Sequence, residues 1–133
     1  MDKVKRISIP TIKDHRGNLC FVENKQEIPF SIKRIFYVYD IPSGSIKGSH
    51  AHRSLEQFII VMSGSFDIVL DDGVKIKTFH LNEPSVGLYI PPMVWSSQEN
   101  FSAGCCYVVL TSDKYSESDY IRNYEQFINE KNI

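Results

Sequence analysis

The sequence predicts an all-β domain: an antiparallel barrel or jelly roll closed by a short C-terminal helix. Three observations carry this. Short β-branched and aromatic runs recur every eight to twelve residues or so, the spacing of a sandwich or barrel. Turn residues separate them. The 133-residue length fits one domain, residues 1–133, with hydrophobic residues at 42% and charged residues at 23%.

The elements follow in order. An apolar N-terminal strand comes first, and "LCFVEN" follows the "DHRGN" turn. "IKRIFYVYDI" ends at Pro42, which donates nothing to a ladder. "LEQFIIVM" stops at "SGS" and "FDIVL" stops at "DDG", where Asp72-Gly73 suits a tight hairpin. "VKIKTFHL" alternates Lys75 and Lys77 with Val74, Ile76 and the Phe79 neighbourhood, and "VGLYIPP" and "CCYVVLT" complete the set. Only "SESDYIRNYEQFINEKN" breaks the pattern. Ser116, Ser118 and Asp119 are good N-cap types, and Tyr120, Tyr124, Phe127 and Ile128 share one helical face. An amphipathic helix packed on the barrel is expected there.

Bulk properties exclude several functions. A formal charge of −1 gives no electrostatic case for nucleic acid or an anionic membrane. No apolar run approaches the ~20 residues of a membrane span, and the N-terminus lacks a signal-peptide core. A cytoplasmic protein is expected. Cys20, Cys105 and Cys106 form no CxxC spacing, so they read as buried reduced thiols.

The stretch "GSIKGSHAHRSLE" carries the chemistry. On a strand His50 and His52 point the same way, with Cα atoms ~6.5–7 Å apart. Two imidazoles so placed can converge on one small object. With Glu56 they can hold a divalent metal, or they can move protons alone.

The run from Gly44 to Glu56 resembles the first cupin motif, G-x5-H-x-H-x3-E. "GLYIPPMVWSSQEN" from Gly87 resembles the second only in part: Pro91 matches its proline, but Ser96 stands where the motif has its histidine. The resemblance therefore implies the cupin fold with one metal ligand missing. Metal-free proton transfer is the expectation, with no metal and no cofactor.

A narrower resemblance covers residues 9–127. "IPTIKDHRGNL", "IPFSIKRIFYVYDIP", "KGSHAH", "EQFIIVMSGSFDIVLDDG", "GLYIPPMVW" and "DYIRNYEQF" occur in the order of the nucleotide-sugar 3,4-ketoisomerases. The chain departs in carrying Lys47-Gly48 where many members have Arg-Gly, so the charge is kept and the bidentate fork lost. The resemblance implies migration of the carbonyl of a dTDP-linked 4-keto-6-deoxyhexose from C4 to C3, for deoxyamino-sugar synthesis. It implies that His50 and His52 exchange the protons, without saying which is base and which acid. Arg16 and Lys47 are candidates for the carrier pyrophosphate. Tyr37, Trp95, His15 and Ser96 are candidates for contact with sugar or base. A homodimer is expected, as family members pair and often exchange N-terminal strands. Glu56 is left a supporting role, such as orienting an imidazole. A related epimerase, a metal-dependent cupin enzyme and a non-catalytic sugar-nucleotide sensor remain as alternatives.

Overall fold

The computed structural model describes residues 1–132. Its strands are β1 (Lys5–Ser8), β2 (Thr11–Ile12), β3 (Leu19–Cys20), β4 (Arg34–Val38), β5 (Lys47–His52), β6 (Gln57–Ser63), β7 (Phe66–Asp71), β8 (Ile76–Leu81), β9 (Val86–Ile90), β10 (Trp95–Glu99), β11 (Cys106–Thr111) and β12 (Tyr120–Ile121). A 3-10 turn, Glu117–Asp119, precedes β12, and a helix, α1 (Tyr124–Lys131), is the last element among the described residues. Two five-stranded antiparallel sheets, β1-β9-β6-β11-β4 and β12-β5-β10-β7-β8, face each other, with β2 and β3 forming a separate hairpin. This is the all-β barrel with a C-terminal helix that the strand spacing predicts. Among the described residues no helix is long and apolar enough to cross a membrane.

Period-two alternation builds the interior. Ile59 and Val61 of β6, Phe66, Ile68 and Leu70 of β7, Leu88 and Ile90 of β9, and Tyr107 and Val109 of β11 meet in one buried core. The alternate residues Phe58, Ile60, Tyr89 and Leu110 point to the other side of the first sheet, where Ile9, Ile28 and Phe30 cover them. Each large apolar side chain so enclosed stabilises the fold by roughly 1.5–3 kcal/mol. The outer face of the second sheet is covered by α1, whose Phe127 packs with Ala51 and Ile121. Arg53 anchors the helix through Glu130, at 2.8 and 2.9 Å.

Several expectations need correction. In β8 the buried residues are Phe79 and Leu81, while Val74 and Ile76 lie exposed, so the inward parity is the lysine parity. Lys77 reconciles this by lying over the Phe79 ring at 4.9 Å. Trp95–Glu99 forms a full strand that its polar composition hid. Cys105 is buried, but Cys20 is exposed. The helix begins at Tyr124 rather than near Ser116, because Asn123 is the N-cap and its side chain accepts from Gln126 N. Ser116–Arg122 instead crosses the barrel, and β12 within it pairs with β5.

Two glycines are needed for packing near the site. Gly48 sits at φ +72 where the β5–β10 register shifts, a bulge that turns the strand toward the histidines. A Cβ there would press on the buried Gln98 side chain at 3.1 Å. At Gly87 a Cβ would fall 2.1 Å from the Phe58 ring, which is fully buried. Gly87→Ala is therefore expected to destabilise the fold by about 1–3 kcal/mol in urea titration. A loss within 0.5 kcal/mol, roughly the range of neutral surface changes, would contradict this close approach.

Candidate active site

The site is built where β5 is flanked by β10 and β12. His50 lies opposite Ser96 of β10, and His52 lies opposite Tyr120 of β12. Directly paired residues share a sheet face, so Ser96, His50, His52 and Tyr120 all point into the barrel mouth. The two imidazoles stand edge to face with ring centres 4.9 Å apart. The Tyr120 ring completes the group, 4.9 Å from His50 and 4.4 Å from His52. His52 is 5% exposed and Ser96 3%.

Charged groups surround this cluster. His52 Nδ1 lies 3.1 Å from Asp119 Oδ2. Arg122 stands over the Tyr120 ring at 4.2 Å and is paired with Glu117, which also accepts from the Tyr115 hydroxyl. Arg34 shares the inward parity of Phe36 on β4, and its guanidinium lies over the Phe36 and Tyr115 rings at 4.8 and 5.2 Å. Among the described residues Arg34 has no carboxylate partner.

Burial sets the protonation states. It disfavours the imidazolium of His50, and with the neighbouring His52 it brings the His50 pKa down to about 4. Burial also lowers His52, against the opposing pull of Asp119. Asp119 is itself held below the usual carboxylate range: burial works against ionisation, but the Ser54 hydroxyl and amide and His52 outweigh it. At neutral pH the site thus holds two neutral imidazoles beside a carboxylate.

Glu56 does not join them. Its carboxylate accepts from the Tyr89 hydroxyl at 2.6 Å, and Tyr89 belongs to the cluster on the outer side of the first sheet. The His-His-Glu set of the first cupin motif is therefore not assembled, and Ser96 supplies no fourth nitrogen. Among the described residues no three His, Cys, Asp or Glu side chains are grouped to hold a metal. The residues present do not fit a metal centre. The carboxylate beside an imidazole is that of Asp119, not Glu56.

The other candidates scatter. Trp95 points to the opposite face of β10, edge-on to Tyr124 and tilted on Phe127, so its ring belongs to the helix packing rather than to the histidine pocket. Tyr37 is 66% exposed on the outer side of β4, stacked on Tyr39. His15 and Arg16 lie exposed on the β2–β3 turn, with Asp14 as their partner. Lys47 is exposed at the start of β5, beside Tyr39, Asp40 and Ser45. Sequence reading missed Tyr120, Asp119, Arg122 and Arg34 as site residues. The family-like "DYIR" run held the signal for three of them, but a helical assignment absorbed it.

The depressed His50 pKa has a consequence for stability. An unfolded His50 takes up its proton near the ordinary 6.5, whereas the folded one refuses it until about 4. Stability from this group is full above pH 6.5 and drains away as pH falls toward 4, at up to about 1.4 kcal/mol per pH unit. Urea titrations across that window are expected to show this slope flattened in His50→Gln. An unchanged slope would contradict the buried neutral imidazole.

Comparison with known proteins agrees with this geometry. The family described as FdtA, WxcM-like, C-terminal matches residues 2–132. The chain is 45% identical over 123 residues to the TDP-4-oxo-6-deoxy-alpha-D-glucose-3,4-oxoisomerase of Aneurinibacillus thermoaerophilus, covering 92% of this chain and 88% of that one. A His-to-Asn mutant of the 3,4-ketoisomerase QdtA from Thermoanaerobacterium thermosaccharolyticum, solved with TDP-4-keto-6-deoxyglucose, superposes with a TM-score of 0.96 at 40% identity, over 98% of this chain and 95% of that chain. A 3,4-ketoisomerase from Helicobacter canadensis matches with a TM-score of 0.96 at 44% identity, over 98% of both chains. With a motif-bearing match along almost its whole length, the chain belongs to the FdtA, WxcM-like family of sugar 3,4-ketoisomerases.

Proposed function

We propose that this chain is a cytoplasmic dTDP-4-keto-6-deoxy-D-glucose 3,4-ketoisomerase that moves the carbonyl from C4 to C3 by histidine acid–base chemistry. The observation that carries this reading is the pair of neutral, mostly buried imidazoles under Tyr120. The reaction needs no net oxidant. The C3–H bond breaks and its proton passes to a base, while electrons shift toward O4 as an enediolate. O4 then holds a proton, O3 gives one up, and C4 receives one, so C3 becomes the carbonyl carbon. A neutral imidazole can accept the first proton at pH 7, and an imidazolium can deliver the last. Arg34, held between two rings and with no carboxylate partner among the described residues, is a cation free to meet an enediolate or a carrier phosphate.

We assign the carrier pyrophosphate to Arg16 and Lys47, and sugar contacts to His15 and Ser96. Of these, Ser96 is supported by its position opposite His50. Tyr37 fits a different role, in the dimer. It adjoins an exposed apolar groove on the outer side of the first sheet, lined by Leu19, Phe21, Ile35, Met62 and Val108. A contiguous apolar face of this kind suits a partner surface, and we propose a second copy of the chain as its occupant.

Incubation with dTDP-4-keto-6-deoxyglucose followed by NMR of the product tests the reading. A 3-keto product is expected, and His50→Asn and His52→Asn should each lower kcat by about 10²–10⁴-fold. Inversion beside an unmoved carbonyl, or binding without turnover, would overturn it. For the dimer, sedimentation equilibrium should give twice the chain mass, reduced to a monomer in Ile35→Glu/Met62→Glu. A wild-type monomer would refute the assigned surface.

A further inference from the structure

We propose that Gln57 selects the sugar: its carboxamide hydrogen-bonds the hexose 2-hydroxyl, the one hydroxyl of the ring that the reaction leaves untouched. The proposal rests on the ketoisomerase reading above.

Gln57 opens β6 and shares the inward parity of Ile59 and Val61. It lies opposite Thr111 of β11 and Ile90 of β9, and Thr111 in turn lies opposite Arg34 of β4. Arg34, Thr111, Gln57 and Ile90 thus form one inner row across the first sheet. The row stands at the histidine end of the barrel, because only residues 53–56 separate Gln57 from His52, the last residue of β5.

The side chain is enclosed but uncommitted. Gln57 is 8% exposed. Other buried polar side chains have partners within the protein: His52 has Asp119, Asp71 has Tyr124, Gln98 has Tyr107, and Thr111 donates to the Asp113 carbonyl. Among the described residues neither amide atom of Gln57 has one, yet no buried side-chain nitrogen or oxygen is sealed away unpaired. The little surface that Gln57 retains therefore includes its amide. With the residue facing inward, that amide opens to the barrel mouth.

An unpaired carboxamide is costly to bury, and it persists where a ligand or water completes it. The ligand chemistry is narrow. An amide both donates and accepts, as a hydroxyl does, and it carries no charge. It suits a hydroxyl that must be held without reacting. In the proposed reaction O3 and O4 change, which leaves the 2-hydroxyl as that group. Facing sheets stand about 10 Å apart, room for one hexose between the imidazoles and the first sheet. Arg34 lies two strands from Gln57 in the same row, roughly 10 Å at the usual strand spacing. The sugar's phosphate is on C1, beside the 2-hydroxyl, so an arginine and a glutamine reaching in from that separation meet adjacent substituents of one ring.

Calorimetric titration with dTDP-6-deoxyglucose, which has no ketone and cannot react, and with its 2-deoxy counterpart tests the contact. The wild-type protein should bind the 2-deoxy compound about 10- to 100-fold more weakly. In Gln57→Met, of similar length but apolar, that ratio should collapse to within about threefold. No wild-type preference, or a preference that Gln57→Met keeps, would overturn the proposal. Thermal melting separates the contact from a structural role. Replacing an uncommitted buried amide should leave Tm within about 2 °C of the wild type or raise it. A larger fall, or a variant that does not fold, would refute the free amide. Turnover assays on dTDP-4-keto-6-deoxyglucose keep the two readings apart. Isomerase activity without the 2-hydroxyl preference removes the contact and leaves the function. The preference, lost in Gln57→Met, without isomerase activity removes the function and leaves the contact.

Discussion

The antiparallel pairing of β12 with β5 is the constraint on which the site depends. Only two residues of β12 take part, Tyr120 opposite His52 and Ile121 opposite Ala51. The two sides of that short ladder do different work. Ile121 and Ala51 face outward and pack with Phe127 of α1, which holds the strand in place by apolar burial. Tyr120 faces inward and lies against both imidazoles. Asp119, one residue earlier, reaches His52 and the Ser54 donors. Docking of the C-terminal helix and assembly of the histidine–tyrosine cluster are thus parts of one packing arrangement.

The electrostatics follow from that enclosure. Two imidazoles with ring centres 4.9 Å apart cannot both be charged at low cost in a shielded site, and His50 accordingly resists protonation. A neutral pair suits a reaction that removes a proton from one carbon and returns one to its neighbour. The open cupin ligand set points the same way. Glu56 leaves the mouth to accept from Tyr89 across the first sheet, and Ser96 occupies the remaining histidine position. Asp119, from the far end of the chain, provides the carboxylate that the motif glutamate does not.

Much of this was legible in the sequence. The strand run and the shared facing of His50 and His52 follow from period two and spacing, and the loss of the motif histidine at Ser96 follows from the cupin resemblance. What was not legible had specific causes. Asp119 and Ser118 favour helix N-caps and also favour capturing loose backbone amides, and here Asp119 took the amides of Ser54 and Leu55. Tyr120 fits the helical face of Tyr124 and Phe127 by count, but the two-residue pairing with β5 outranks that periodicity. Trp95 opens a strand with an interior face of Ser96 and Gln98, so nothing local indicated that its ring would turn outward beneath α1. The polar interior of β10 is itself a mark of function, because a barrel strand seldom buries such residues without a use for them.

In the proposed reaction, solvent-exchanging imidazoles carry the proton between C3 and C4. Running the conversion of dTDP-4-keto-6-deoxyglucose in D2O and reading the product by NMR tests it most directly. A solvent deuteron is expected at C4 of the 3-keto product, with its incorporation lost along with turnover in His50→Asn and His52→Asn. Carbonyl migration with the original C3 hydrogen delivered wholly to C4, and no deuterium entering, would contradict it.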